Sequence, residues 1–261
     1  MLLSPPSTGR ERVNEFRWHH AACTDIGRVR AQNEDSLLVV PESGCFAVAD
    51  GLGGHVAGEV ASRLAVDTIA EELGQLTADS GPERARTILE QGIGRANQAI
   101  LDAVERDPSL SGMGTTLTVL LLSRDGSYSV GHVGDSRAYL FRDRTLRRLT
   151  RDHTVVQELV DHGQLTYEQA RLHPRSSVLT RALGIDQAVT ADLFGGRAES
   201  GDRFLLAKDG LTSMIPEEKL QLVLATTPGP GDAATALVEA ANDAGGADNI
   251  TVILLELSSS R

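Results

Sequence analysis

A short apolar run that ends in an acidic turn stands at Cys45-Phe46-Ala47-Val48-Ala49-Asp50-Gly51. A carboxylate lies at the rim of an apolar stretch in three further places, at Asp135, Asp209 and Asp248. A single Asp-Gly pair is ordinary turn chemistry. Repetition is different, because like charges gathered at one edge of a sheet repel each other unless cations neutralise them. We therefore expect these carboxylates to face a cation.

The residue types around these turns indicate which cation suits them. They offer carboxylates and backbone carbonyls, with no cysteine cluster and no closely spaced histidine pair. Hard oxygen ligands favour Mg²⁺ or Mn²⁺ over zinc. Paired divalent ions bridged by a carboxylate and a water are suited to the hydrolysis of phosphate esters, because they lower the pKa of the water and offset charge on the phosphoryl oxygens.

The surrounding pattern predicts an α+β fold. Short apolar runs bounded by Gly, Asp or Ser predict strands at 37–40, 45–49, 116–122, 129–133, 137–141, 203–207 and 250–257. Apolar residues at helical spacing predict helices at 60–76, 89–104 and 233–242. Consecutive strands and paired helices are unlike the βαβ alternation of a parallel sheet. We therefore predict an antiparallel sheet system with helix pairs packed on its faces.

No internal repeat, linker or shift in composition divides the chain. We expect a mobile tail at 1–15 and a single domain at 16–258. The polar segment at about 152–186 is expected to form an inserted flap, since such segments often carry specificity. Its histidines, His153, His162 and His173, are expected to be solvated.

Composition narrows the classes of partner. The 261 residues hold 25 Lys+Arg against 36 Asp+Glu, a net charge of −11, which disfavours nucleic acid. Aromatic residues make up 3%, so stacking on exposed bases is disfavoured as well. No apolar stretch suits a signal peptide or a membrane span. We expect a cytoplasmic monomer without membrane insertion, in which Cys23 and Cys45 are free thiols.

Six segments carry a family resemblance, in order, over residues 24–252. They are residues 24–35, Val48-Ala49-Asp50-Gly51-Leu52-Gly53-Gly54-His55 with Gly58-Glu59, Gly112-Met113-Gly114-Thr115-Thr116, Val133-Gly134-Asp135-Ser136-Arg137, Leu206-Ala207-Lys208-Asp209-Gly210-Leu211-Thr212 and Asp248-Asn249-Ile250-Thr251-Val252. With them the chain resembles the metal-dependent serine/threonine protein phosphatases of the protein phosphatase 2C family, in its compact bacterial form.

The resemblance implies a fold and an activity. The fold is a central antiparallel β-sandwich flanked by pairs of α-helices, in four layers (αββα), with the flap inserted. The activity is hydrolysis of phosphoserine and phosphothreonine in proteins, by in-line attack of a water that bridges two metal ions. The implied cofactor is Mn²⁺ or Mg²⁺, two ions per chain and a third at a weaker site. The implied partners are phosphorylated proteins, among them a cognate serine/threonine kinase.

The same resemblance implies the metal ligands. Asp50 would bridge the two metals, and the carbonyl of Gly51 would bind one of them. Asp209 and Asp248 would hold the second metal. Asp135, together with Asp209, would mark the weaker third site.

The remaining site residues are implied in the same way. Arg30 would bind the phosphate of the substrate, and a guanidinium fork does suit a phosphoryl group better than a lysine does. Ser177 in the flap lies near the position implicated at the third site, and would contact the substrate there. Glu34 and Asp35 would act through coordinated waters. The implied catalytic residues are Arg30, Asp50 and Asp209.

The chain departs from the family pattern at two positions. Leu52 stands where many eukaryotic members have the histidine of Asp-Gly-His, a candidate proton donor, and His55 does not inherit that role by proximity. Lys208 stands where the family usually has a small residue before Asp-Gly. Strand alternation predicts that the side chain of Lys208 points away from that of Asp209. A lysine beside a metal ligand could still weaken metal binding or form an inhibitory ion pair.

Two other functions were weighed against an active phosphatase. A catalytically weakened member that binds phosphoproteins as a regulatory module is favoured by Lys208 alone. A cysteine-dependent phosphatase needs an arginine six positions after the reactive thiolate. Cys23 is followed there by Val29 and Cys45 by Gly51, so the spacing excludes that mechanism.

Overall fold

The computed structural model describes residues 15–53, 56–73 and 81–259 of the chain. The described strands form two antiparallel sheets. Sheet I has the order β1-β11-β10-β7-β8 and consists of β1 (Phe16–Asp25), β7 (Arg137–Arg142), β8 (Thr145–Arg148), β10 (Arg203–Ala207) and β11 (Ile250–Ser259). Sheet II has the order β2-β3-β5-β6-β9 and consists of β2 (Asp35–Val40), β3 (Cys45–Leu52), β5 (Leu117–Leu122), β6 (Ser127–Val133) and β9 (Asp192–Arg197), with β4 (Gly114–Thr115) paired to β3.

Helices cover the outer face of each sheet. The helices α1 (Val56–Leu73) and α2 (Pro82–Arg106) pack on sheet II. On sheet I lie α5 (Asp209–Thr212), α6 (Glu217–Thr226) and α7 (Pro230–Asp243). The flap contains α3 (Val155–Asp161) and α4 (Tyr167–Arg171).

Strand alternation divides the apolar residues into three layers. In β3, Phe46 and Val48 face the other sheet and pack in one cluster with Phe204 and Leu206 of β10. The residues between them, such as Ala47, face α1 and α2. Because both faces of each sheet are covered, the central strands read as continuous apolar runs. Three apolar layers separate four structural layers, as the αββα prediction requires.

The structure confirms the seven predicted strands and the three predicted helices, with ends that differ by a few residues. The pattern missed β1, in which half-buried and exposed positions follow one another without a continuous apolar run, and the short or polar strands β4, β8 and β9. Residues 1–14 of the predicted tail, residues 74–76 of the first predicted helix, and Gly54 and His55 lie outside the described residues. The single domain at 16–258 stays a prediction.

The strand pairing brings distant acidic residues to one end of the sandwich. Asp35 at the start of β2 lies opposite Asp50 near the end of β3. In sheet I, Ala207 at the end of β10 pairs with Val252 near the start of β11 and with Arg137 at the start of β7. The residues beside these pairs are therefore neighbours, although far apart in sequence.

Candidate active site

An acidic cavity of about 260 Å³ opens at this end of the sandwich. Its lining includes every predicted site residue except Asp35, namely Arg30, Glu34, Asp50, Gly51, Asp135, Ser177, Asp209 and Asp248. Asp35 lies beneath the cavity with a fully buried side chain, where its Oδ2 accepts a 2.6 Å hydrogen bond from Thr251. The structure thus brings the predicted residues to one place.

Three carboxylates of the acidic cavity converge on a single point. One oxygen from each of Asp50, Asp135 and Asp209 lies within 4.8 Å of the other two. The Oδ1 atoms of Asp35 and Asp209 are buried and accept no hydrogen bond, although the ammonium of Lys208 lies 3.8 and 3.1 Å from them. Buried carboxylate oxygens without a donor are costly unless a cation neutralises them. This donor set fits a hard divalent cation.

The protonation equilibria show the same excess of negative charge. Burial, and then the neighbouring carboxylates, raise the pKa of Asp50 and of Asp135 well above the ordinary range. Burial raises the pKa of Asp35 to about 6, even though Lys208 opposes the shift. A group whose neighbours disfavour its ionised form gains most from a cation placed nearby.

The backbone of Asp50 is held by two threonines of the Gly-Met-Gly-Thr-Thr segment. The hydroxyl of Thr115 donates to the Asp50 carbonyl at 2.8 Å, and the Asp50 N–H donates to the hydroxyl of Thr116 at 3.0 Å. The Thr116 hydroxyl also contacts that of Ser136, beside Asp135, at 2.8 Å. The pairing of β4 with β3, which brings these threonines to Asp50, has no local signal in the sequence.

Asn249 ties the N-terminal loop to the cavity. Its side-chain amide donates to the carbonyls of Ile26 and Gln32, and its Oδ1 accepts from the N–H of Glu34 at 3.0 Å. The sequence shows Asn249 beside Asp248. It does not show that Asn249 holds the N-terminal loop, because the groups that it binds lie more than 200 positions away.

Close backbone approach explains one glycine of the Asp-Gly pairs. A Cβ atom on Gly210 would overlap the carbonyl oxygen of Asn249. Only glycine lets the start of α5 pack against the residue before β11. This contact brings Asp209 and Asp248 to the same side of the cavity.

Arg30 lies at the mouth of the acidic cavity. Its side chain is 51% exposed, and its Nε lies 2.8 Å from Oδ1 of Asp248. A half-exposed guanidinium is accessible to an incoming anion. Ser177 and Leu179 of the flap also line the acidic cavity.

The prediction for Lys208 was wrong. Its side chain is buried against the carboxylates of the acidic cavity, where Nζ lies 2.9 Å from Asp248 Oδ2, 3.1 Å from Asp209 Oδ1 and 3.6 Å from Asp50 Oδ2. The strand ends at Ala207, and the chain turns from an extended Lys208 into the first residue of α5. Alternation therefore does not continue to Asp209. Burial by itself would lower the pKa of Lys208, but the carboxylates raise it well above the ordinary value.

The prediction for His153 was wrong as well. This side chain is 3% exposed, and its Nδ1 accepts a 3.0 Å hydrogen bond from the N–H of Gly134, next to Asp135. Its Nε2 lies 3.2 Å from a carboxylate oxygen of Asp192. His162 is exposed, as predicted, and His173 is half-buried. His153 therefore helps to hold the turn that presents Asp135.

The four-layer fold and the acidic cavity together define a class of protein, the metal-dependent phosphatases. Hard oxygen ligands gather at one end of a sandwich, and a guanidinium stands at the entrance. That combination suits an anionic ester held against divalent cations.

Comparison with known proteins gives the family. The family described as Protein phosphatase 2C matches residues 27–240, and the chain belongs to it. The chain is 39% identical to "Serine/threonine phosphatase stp" of Listeria welshimeri, over 89% of this chain and 93% of that protein. It is 41% identical to "Serine/threonine protein phosphatase PstP" of Mycobacterium tuberculosis, over 91% of this chain and 45% of that protein.

Solved structures agree. A crystal structure of the Mycobacterium tuberculosis phosphatase PstP superposes with a TM-score of 0.85 at 40% identity, over 92% of this chain and 99% of the other. A second structure, the catalytic domain of PstP in complex with two manganese ions, gives a TM-score of 0.83 at 38% identity, over 93% and 99%. The predicted family, fold class and enzyme class, a protein serine/threonine phosphatase, are confirmed. Among the described residues, no helix is both long and apolar enough to cross a bilayer.

Proposed function

We propose that this chain hydrolyses phosphoserine and phosphothreonine in proteins at the acidic cavity. One observation carries the proposal: the carboxylates of Asp50, Asp135 and Asp209 converge within 4.8 Å of one another, in a cavity that Arg30 also lines. The negative cluster needs a cation, and the arginine suits a phosphoryl group.

The metal ligands proposed are the carboxylates of Asp50, Asp135, Asp209 and Asp248 and the carbonyl of Gly51. The cofactor proposed is Mn²⁺ or Mg²⁺, with two ions and a weaker third. Two manganese ions in the similar PstP catalytic domain support this number. When bound, divalent ions supply an activated water and offset charge on phosphoryl oxygens.

The other residues of the chain bind and orient. Arg30 is proposed to hold the phosphoryl oxygens through its guanidinium, and Ser177 to contact the substrate from the flap. Glu34 and Asp35 are proposed to orient waters, one in the lining and one beneath it. Leu52, which also lines the cavity, has no proton to give to the leaving hydroxyl.

The proposed substrates are phosphorylated proteins, among them a cognate serine/threonine kinase. The names of the similar proteins support a protein substrate. We also propose a cytoplasmic location, which the free thiols of Cys23 and Cys45 support because cysteines stay reduced there.

The test is release of phosphate from a phosphothreonine peptide with Mn²⁺ and with a chelator. We expect turnover with Mn²⁺, none with the chelator, and almost none for Asp209→Asn. Asp232→Asn, an exposed aspartate in the first turn of α7, is the matched control and should keep full turnover. Turnover that survives both the chelator and Asp209→Asn would refute the proposal.

A second candidate function is a regulatory module that binds phosphoproteins without turnover. It is favoured by the ammonium of Lys208, which pairs with the cavity carboxylates of Asp209 and Asp248. This candidate predicts no turnover with Mn²⁺ for the natural chain and turnover for Lys208→Ser. Full turnover by the natural chain would eliminate it.

A further inference from the structure

Lys208 is a buried lysine directly behind the carboxylates that line the acidic cavity. Its side chain is 1% exposed, and its Nζ is surrounded by oxygens of Asp35, Asp50, Asp209 and Asp248 at 2.9 to 3.8 Å. The sequence contains only one other lysine, Lys219, which is exposed on α6. The single buried lysine of the chain therefore stands where negative charge is most concentrated.

The ammonium occupies space that a metal would need. Nζ lies 2.9 Å from Asp248 Oδ2 and 3.1 Å from Asp209 Oδ1, so it sits between the two carboxylates. A divalent ion bound by the same two oxygens would lie roughly 2.0–2.6 Å from each. The two positions overlap, and two cations so close together would repel. The ammonium and that ion therefore exclude each other.

The rest of the cavity stays open to a cation. The oxygens of Asp50, Asp135 and Asp209 that lie within 4.8 Å of one another form a second cluster, which shares Asp209 with the first. Nζ is farther from Asp50, at 3.6 Å, than from Asp248. The cavity thus has two unequal cation positions: one that the ammonium borders, and one that it occupies.

We propose that Lys208 is a built-in cation that competes with the divalent ion at the Asp209–Asp248 position. This proposal rests on the proposed function, since it assumes a metal centre. The chain binds a divalent ion more tightly at Asp50, which is farther from the ammonium, than at this second position. At the second position, metal must displace the ammonium. The lysine also neutralises the carboxylates when no metal is bound, so the fold does not depend on metal.

Calorimetric titration with Mn²⁺ tests the competition without measuring activity. We expect one tight site in the natural chain and two in Lys208→Ser, with the second ion bound at least about 10-fold more tightly than in the natural chain. Lys219→Ser removes the same charge from an exposed helix position and should bind Mn²⁺ like the natural chain. Equal binding by the natural chain and Lys208→Ser would overturn the role of the lysine. No Mn²⁺ binding by any of these proteins would overturn the proposed function together with it.

Thermal unfolding in chelator tests the second part of the proposal. Lys208→Met keeps the length of the side chain and removes its charge, which leaves buried carboxylates without a counter-ion. We expect the Tm of the metal-free protein to fall by several degrees in Lys208→Met and in Lys208→Ser, and to be unchanged in Lys219→Ser. A metal-free Lys208→Met protein at least as stable as the natural chain would contradict the proposal.

Discussion

Two neighbouring groups of buried charges differ in how they are neutralised. In the acidic cavity, carboxylates outnumber the cations, and the pKa of Asp135 is raised well above the ordinary range. In the arginine network, formed by Arg137, Tyr139, Arg148, Asp152 and Glu217, each charge has a partner. Burial tends to raise the pKa of Asp152, but Arg137 and Arg148 lower it below its usual value.

The two groups are almost contiguous in sequence. Asp135 and Arg137 are separated by one residue, yet the first faces carboxylates and the second makes a forked ion pair with the two oxygens of Asp152 at 2.6 and 3.0 Å. The network is complete in the folded chain, so its function is to stabilise. In the cavity a single ammonium, that of Lys208, faces several carboxylates, so the negative charge left over requires a cation from outside. Each prediction below tests one side of this contrast.

The largest effect, a loss of folding stability, is expected from a substitution in the arginine network. Asp152→Asn leaves the buried guanidinium of Arg137 without its anionic partner, and breaking such a pair costs about 3–5 kcal/mol. The midpoint of thermal unfolding should fall by roughly 10 °C. Asp232→Asn is the control with the same exchange at an exposed position. A loss below about 1 kcal/mol would show that the network does not stabilise the fold.

In the acidic cavity, by contrast, we expect a substitution to reduce activity without reducing stability. Asp50→Asn should reduce Mn²⁺-dependent turnover by at least about 100-fold, since even an indirect neighbour of a metal ligand typically changes activity by 10–100-fold. Its free energy of unfolding in chelator should stay the same or rise, because one of several crowded charges is removed. Phosphate release and unfolding in denaturant measure the two quantities. A strongly destabilised metal-free Asp50→Asn protein would show that Asp50, like Asp152, stabilises the fold, and would contradict the account.

An effect of pH on stability is expected from His132, which interacts electrostatically with Asp152 of the arginine network. Burial, and then the neighbouring His153, lower its pKa from 6.5 to about 3, while Asp152 and Asp192 oppose the shift. His132 therefore binds a proton below about pH 6.5 in the unfolded chain, whereas in the folded chain it stays neutral until the pH approaches 3. Stability is present above pH 6.5 and is lost as the pH falls toward 3, by about 2 kcal/mol between pH 7 and pH 5. His132→Asn should reduce that loss in unfolding experiments at the two pH values. If His132→Asn leaves the pH dependence of stability unchanged, His132 is not the buried neutral group that causes it.

The smallest effect is expected at the cavity mouth. Arg30→Lys replaces a fork with a point charge and loses about one charge-assisted hydrogen bond to phosphate. The KM for a phosphothreonine peptide should rise about 10-fold. Arg28→Lys, two positions away and exposed, is the matched control. Identical KM values for both variants would remove Arg30 from the substrate site.

The sequence predicted the parts of the fold that have regular periods. Strands that read as continuous apolar runs and the helix from Leu89 to Val104 follow from local patterns, and six ordered motifs identified the family. Lys208 was misplaced because alternation was extended past the end of β10, where α5 begins. His153 was misplaced because its burial depends on Gly134 and Asp192, which are remote in sequence. The positions of Asp50, Asp135, Asp209 and Asp248 were predicted, whereas their roles as ligands stay predictions.

The most direct measurement is the anomalous scattering of manganese in crystals grown with Mn²⁺. The carboxylate oxygens of Asp50, Asp135 and Asp209 already lie within 4.8 Å of one another, so they need little movement to share an ion. The account predicts an anomalous peak among these three side chains and none within the arginine network. Crystals of a protein that hydrolyses the phosphopeptide, but that show no peak among the three aspartates, would contradict it.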